Sequence, residues 1–250
     1  MKSQSLHSPV DGAKAHILNS VAPKTRLLAR LVATFLLLSL LTVGVIFLPA
    51  GSWRYWQGWV YLTIFLLPLL GGYIYFYKHD PQLLERRLRH RESVPEQKLL
   101  MRWSKPLFLA AFLLPGLDVR YGWSRRSLGA TPLALMIFSQ AMILAGMLGA
   151  VWVLHVNRFA ARTIQVEAGQ QVISTGPYRF VRHPLYAFSS VLCFFTPLAL
   201  GSYLALPAFM LLLLFYALRL LNEEKVLREQ LPGYTEYCLH TRFRLIPYLW

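Results

Sequence analysis

Five long stretches of this chain carry no Asp, Glu, Lys or Arg: residues 31–53, 55–77, 106–117, 127–157 and 184–218. A helix needs about 20 apolar residues to cross the roughly 30 Å hydrocarbon core of a bilayer. The first two stretches each supply one span, at residues 31–49 and 56–77, and the fourth supplies a third at about 132–155. The third stretch is short and holds Pro115-Gly116, so it spans only by drawing in residues 103–105 and 119–121. The fifth would make a single helix of roughly 52 Å at about 1.5 Å per residue, too long for one crossing. Pro197, Gly201-Ser202 and Pro207 punctuate its middle. Gly and Pro interrupt helices, which predicts a helical hairpin with arms at 184–200 and 203–221 and a turn at Gly201-Ser202. The expected fold is all-α: a polytopic membrane protein with about six membrane segments.

The charges that remain are few and lopsided. Only 15% of residues are charged, against about 25% in a soluble domain, while 56% are hydrophobic. That balance excludes a disordered chain and a plain soluble enzyme. Lys and Arg outnumber Asp and Glu by 26 to 11. Assigning residues 1–30, 78–105, 157–184 and 219–250 to the cytoplasm puts 22 of the 26 basic residues on one side. The other four, Arg54, Arg120, Arg125 and Arg126, fall in the opposite loops. This is the positive-inside pattern, with both termini cytoplasmic. A nucleic-acid surface needs its basic residues on one soluble face, so no nucleic-acid partner is expected. The first span begins too late and runs too long for a signal peptide. Residues 1–25 read as a flexible cytoplasmic arm, and residues 26–250 as a single membrane domain.

Several features have structural readings. Asp80-Pro81 reads as a helix cap with Pro at the first helical position. Leu83, Leu84 and Leu88 then share a face among Arg86, Arg87, Arg89 and Arg91. Such a helix lies on an anionic leaflet or simply sets topology. Trp53, Tyr55, Trp56, Trp59 and Tyr61 read as an interfacial aromatic belt. Ala141, Ala145 and Gly149 form a small-residue stripe that permits close helix packing. Cys193 and Cys238 offer neither a disulfide framework nor zinc spacing, and no metal site is expected.

The segment before the hairpin differs. His183 takes the N-cap position and Pro184 the first helical position, after a turn at Gly176-Pro177. A helix N-terminus is positive and holds anions, and Arg182 and His183 add donors. The bland alternative is a capped helix start against lipid phosphates. At the hairpin's other end stand Glu223 and Glu224, costly beside a span unless solvated or paired. Arg219, Lys225 and Arg228 are their local helix partners. The hairpin would deliver both features to one mouth. Farther on, Tyr234 and Tyr237 share a helical face. Arg242 and Arg244 would meet an anionic substrate or lipid head groups.

Arg182-His183-Pro184-Leu185-Tyr186, a hydrophobic run, then Glu223-Glu224 resembles the RHPxYxG–hydrophobic–EE signature of the isoprenylcysteine carboxyl methyltransferase and phospholipid methyltransferase superfamily. Thr175-Gly176-Pro177-Tyr178 and Pro232-Gly233-Tyr234-Thr235-Glu236-Tyr237 resemble its bacterial branch. So do residues 53–59 and the run Asp80-Pro81-Gln82-Leu83-Leu84-Glu85-Arg86. The close likeness covers about residues 157–250, and the catalytic core implied is about 130–250. One position departs: Phe188 stands where the signature has Gly, which predicts a narrowed or reshaped pocket, with Ala187, Ser189 and Ser190 compensating.

The resemblance implies a membrane-embedded methyltransferase of a bacterial inner membrane. S-adenosylmethionine is the implied donor, and a lipophilic molecule reached through the bilayer is the implied acceptor. Its cofactor-binding residues would be Tyr178, Arg182, His183, Pro184, Tyr186, Glu223, Glu224, Tyr234 and Tyr237. Arg182, His183 and the helix start suit the donor's carboxylate, and Glu223 and Glu224 its ammonium or ribose hydroxyls. The tyrosines suit the adenine or, through cation–π attraction, the sulfonium. A carboxylate acceptor would be oriented by Arg244 or Arg242; an amine acceptor would need a base such as Glu224. The alternatives are a phospholipid or other lipid N-methyltransferase, and a non-catalytic scaffold that keeps the fold.

Overall fold

The computed structural model describes the backbone of residues 9–88, 95–160, 166 and 169–250, and their side chains apart from residues 9–23, 95 and 96. Arg89, Arg91 and the first eight residues of the expected arm lie outside the described residues. The helices are α1 (Pro9–Ala50), α2 (Trp56–His79), α3 (Pro81–Leu88), α4 (Pro95–Tyr121), α5 (Trp123–Ser127), α6 (Leu133–Val156), α7 (Pro184–Ala199), α8 (Leu206–Gln230) and α9 (Tyr234–His240). A short 3-10 turn covers Gly176–Arg179. No strand occurs among the described residues.

The chain divides at Leu40 into two compact units, residues 1–40 and 41–250. In the first, Val32, Leu36, Leu37 and Leu40 of α1 are exposed. In the second, α6 likewise exposes Leu133, Ile137, Phe138, Leu148 and Trp152. Apolar faces of this extent are a liability in water and the normal covering of a helix in lipid.

Among the described residues, four helices are long and apolar enough to cross a membrane: Lys24–Ala50, Trp56–His79, Leu133–Val156 and Leu206–Gln230. This agrees with the expected all-α, polytopic membrane fold. The hairpin's first arm, α7, is a shorter apolar helix. The segment at 107–117 is absorbed into α4, whose first half carries Lys98, Arg102 and Lys105.

Within the second unit, α6 packs on α7 and α2, and α8 packs on α7 and α4. The core joins Ile46 and Phe47 of α1, Tyr55, Tyr61 and Leu62, Ile143 of α6, and Ala199 and Leu200 at the hairpin. The hairpin turns where Gly201 takes φ +75°, a conformation that favours glycine.

Three further expectations change. Tyr55 and Tyr61 do not face outward as belt residues would: both are buried, Tyr55 donating to Leu200 O and Tyr61 bonding to Thr196 Oγ1. Ala141 and Ala145 are exposed, so they do not form the packing stripe. The close approach is instead at Gly149, where a Cβ would lie 2.3 Å from the Phe188 ring. Phe188 therefore seats in a notch of α6. It is not among the residues lining the cavity described below, so the expected narrowing does not arise from it.

The α4–α5 corner closes the hairpin's turn end. Asp118 is 3% exposed. It accepts bonds from the Ser124 and Ser202 hydroxyls and from Ser124 N at 2.7 Å. Ser124 Oγ in turn accepts Leu204 N at 2.9 Å. Nothing in the charge pattern pointed to this pairing, because Asp118 lies just past a charge-free stretch.

Candidate active site

At the hairpin's open end the backbone is shaped first. Asp80 Oδ1 accepts Leu83 N at 3.1 Å, the cap expected for α3. Leu83 and Leu84 are buried. Arg86 donates to Arg158 O at 2.7 Å and Arg87 to Ala160 O at 3.1 Å. α3 is thus tied to the segment after α6 rather than being only a topology-setting or leaflet-bound element. The C-terminal tail runs back across the start of α7, where Arg182 N donates to Phe243 O and His183 N to Arg244 O at 2.9 and 3.0 Å.

α9 buries Tyr234, Tyr237 and Cys238 against Val166, Val172, Tyr178 and Leu227. Tyr237 donates to Tyr178 O at 2.7 Å, Asn157 donates to the Tyr178 hydroxyl at 2.7 Å, and the Tyr234 hydroxyl bonds His183 Nε2 at 3.3 Å. His183 is 5% exposed. Burial lowers its pKa against the opposing pull of Glu223 and Glu224, because an imidazolium is costly to desolvate. Burial pushes the Tyr178 phenol up to about 12, with Glu223 adding to the rise and Arg87 opposing it.

The adjacent glutamates part company. Successive residues of a helix point about 100° apart at 3.6 per turn, so Glu223 and Glu224 cannot share a face. Glu224 is 3% exposed and pairs with Arg182 at 3.1 Å, Arg244 at 2.7 Å and Arg228 at 3.8 Å. Glu223 accepts the Tyr186 hydroxyl at 2.6 Å. Arg219 Nε donates to that same hydroxyl at 3.0 Å, and Arg219 Nη1 donates to Gln97 Oε1 at 3.3 Å.

A cavity of about 600 Å³ lies beside these groups. Of the residues expected to bind a cofactor, Tyr178, Arg182, His183, Tyr186, Glu223, Tyr234 and Tyr237 line it. Pro184 and Glu224 are not among its lining residues, nor are Arg242 and Arg244. Pro184 is buried at the start of α7, Arg244 is held by Glu224, and Arg242 is exposed.

One face of α8 forms a long wall of this cavity through Leu212, Phe215, Tyr216, Arg219, Glu223, Val226 and Leu227. The spacing is that of a single helical face, and it covers about 22 Å of helix at 1.5 Å per residue. It is apolar at Leu212 and Phe215, charged at Arg219 and Glu223, and apolar again at Val226 and Leu227. Arg219, Arg87, Lys105 and Asn157 line the cavity without having been singled out as site residues. For Arg219 a signal existed, four residues before Glu223 and seven after Leu212 on one stripe. The others come from distant elements and left no local mark.

Among curated proteins none matches the chain. Residues 134–232 match the family model of the phospholipid methyltransferases. The matched segment holds α6, the 3-10 turn, α7 and α8, with Tyr178, residues 182–186, Glu223 and Glu224. α4, α9 and the tail lie outside it. Helical fold and family match point the same way: residues 134–232 are similar to the phospholipid methyltransferases over about two fifths of the chain.

Proposed function

We propose that the chain transfers a methyl group from S-adenosylmethionine to a lipophilic acceptor, in the manner of an isoprenylcysteine carboxyl methyltransferase. The observation that carries this reading is that the α8 wall brings apolar and charged residues into one cavity. A single cavity runs from Leu212 and Phe215, where a lipophile would lie, to Glu223 among Tyr178, His183, Tyr186, Tyr234 and Tyr237.

The wall suits the donor group by group. The α7 N-terminus and the N–H donors of Arg182 and His183 suit its carboxylate. Glu223, fixed by Tyr186, suits the ammonium or the ribose hydroxyls. The tyrosine faces suit the adenine and the cationic sulfur. When bound, the donor supplies an electrophilic methyl on a sulfonium and leaves as a neutral thioether, so placement supplies most of the catalysis. Glu224 and Arg244 hold each other and thereby hold the tail against the start of α7. In this reading both are positioning residues, and Arg242 takes no direct part. With Glu224, the base an amine acceptor would need, committed to three arginines, the site favours an acceptor that needs no deprotonation, such as a carboxylate.

Calorimetric titration of the purified full chain with S-adenosylhomocysteine tests this. Saturable binding is expected, weakened in Glu223→Ala; absence of saturable heat in the wild type overturns the reading. The basic bias of residues 78–105, 157–184 and 219–250 supports a cytoplasmic mouth. Cysteines placed at the exposed positions Ser174 and Ser127 should be labelled from the inside and the outside respectively. The reverse pattern would invert the orientation.

A further inference from the structure

Gln97 is fully buried, at 0% exposed, in α4, outside the segment that matches the family model. α4 runs antiparallel to α8: Gln97 bonds Arg219 at 3.3 Å, and the Phe112 and Phe209 rings sit 5.1 Å apart. Leu100 and Met101, three and four residues after Gln97, line the cavity, while Gln97 itself does not. A polar side chain sealed in this way is costly unless its groups are paired. Its Oε1 accepts from Arg219 Nη1, and its Nε2 has no hydrogen-bond partner among the described residues. A guanidinium only donates. Contact with Arg219 therefore dictates which end of the amide faces it, and the bond is kept even though a buried donor is left orphaned, which is destabilising.

The bond leads into the site. Arg219 Nε donates to the Tyr186 hydroxyl at 3.0 Å. That hydroxyl has one proton, and it goes to Glu223 Oε2 at 2.6 Å. Arg219 thus donates in two directions, to α4 and to α7. Gln97 takes one arm of the guanidinium and so helps to aim the other. Arg219, Tyr186 and Glu223 all line the cavity, and Gln97 braces them from behind its wall.

We propose that Gln97 is a positioning residue for the donor site. It holds Arg219, Arg219 directs the Tyr186 hydroxyl, and that hydroxyl fixes the Glu223 carboxylate that would take the donor's ammonium or ribose hydroxyls. This rests on the methyl-transfer reading of the cavity and adds to it a residue that does not touch the donor.

Calorimetry with S-adenosylhomocysteine and the full chain in detergent reads the effect on binding. Gln97→Met keeps a flexible side chain of similar length but offers only a weak acceptor. It should lower affinity about fivefold, the scale of one hydrogen bond. Gln97→Glu keeps an acceptor toward Arg219 and should bind as the wild type does. In Tyr186→Phe, which cuts the relay, adding Gln97→Met should cause no further loss, the non-additivity expected of residues in one network. A packing role alone predicts the opposite: Gln97→Glu would fail to rescue, and Gln97→Met would cost the same with or without the Tyr186 hydroxyl. Either result overturns the inference.

NMR of the arginine Nε–H groups gives a readout that needs no ligand. The Arg219 signal, assigned by its loss in Arg219→Lys, should be resolved in the wild type and in Gln97→Glu. In Gln97→Met it should move toward the signals of solvent-exposed arginines. A signal missing from the wild type, or unmoved in Gln97→Met, overturns the inference. If the signal moves as expected but the wild type binds no S-adenosylhomocysteine, Gln97 still positions Glu223 in the cavity and the methyl-transfer reading alone is removed.

Discussion

Both ends of the α7–α8 hairpin close around a buried carboxylate, yet with opposite chemistry. At the turn, Asp118 is satisfied by two serine hydroxyls and a backbone amide. At the mouth, Glu224 is satisfied by the guanidinium groups of Arg182 and Arg244, with Arg228 at its edge. Neutral donors suffice at the turn, where a corner and a hairpin need only be pinned together. At the mouth, the charged clamp fixes the tail over the start of α7 and places Arg182 at the cavity wall. Its neighbour Glu223, one residue earlier and about 100° around the helix, faces the cavity instead. A buried carboxylate is therefore not in itself a sign of chemistry; the cavity beside it decides.

The largest effect should come from breaking the charged clamp. Glu224→Gln leaves Arg182 buried with its charge uncompensated, which costs about 3–5 kcal/mol. Denaturation in detergent should show that loss, together with weaker S-adenosylhomocysteine binding because the tail loosens. A variant as stable as wild type would remove the clamp from the account.

Asp118→Ala should cost less, about 1–3 kcal/mol, since it orphans hydroxyl and amide donors rather than a charge. Binding at the mouth should stay within about twofold of wild type, as expected for distant, independent sites. If affinity falls with stability, the two ends are coupled and the contrast between them fails.

Tyr234→Phe removes one buried bond to His183 and should cost about 0.5–1.5 kcal/mol. His183 also sets a pH dependence. Its folded pKa lies below its ordinary value of about 6.5, so below that pH the unfolded chain binds a proton that the folded chain refuses. Stability is then fully present above about pH 6.5 and falls as pH drops toward the folded pKa. Thermal melts of His183→Asn across pH 5–8 should lack this component; an unchanged slope would assign it to another group.

Glu223→Gln should change stability least, by under about 1 kcal/mol, since the residue is only half-buried. It should still weaken S-adenosylhomocysteine by roughly tenfold, the scale of a lost hydrogen bond to a charged group. A stability loss equal to that of Glu224→Gln would erase the distinction between the two glutamates.

Much of the architecture was legible locally. Charge-free runs became long apolar helices, Gly201 became the hairpin turn, and Asp80 capped α3, because each depends on a few consecutive residues. The motif residues Tyr178, His183, Tyr186 and Glu223 were legible as a group, since the hairpin returns the chain to where it began.

What the chain order could not supply was direction. Phe188 departs from the expected pattern, but only the packing of α6 shows that its ring enters the notch at Gly149 rather than the cavity. Tyr55 and Tyr61 look like membrane-interface residues until Leu200 and Thr196, far along the chain, come within bonding distance. Lys105 and Arg87 look like topology signals until α3 and α4 take their places in the cavity wall. The sequence by itself determined helices, hairpin and the kinds of residue at the mouth, because helical periodicity and apolar run length act over a few turns. Tertiary structure alone decided which glutamate is clamped, which faces the cavity, and which cations join it, because those outcomes depend on how helices rotate against partners distant in the chain.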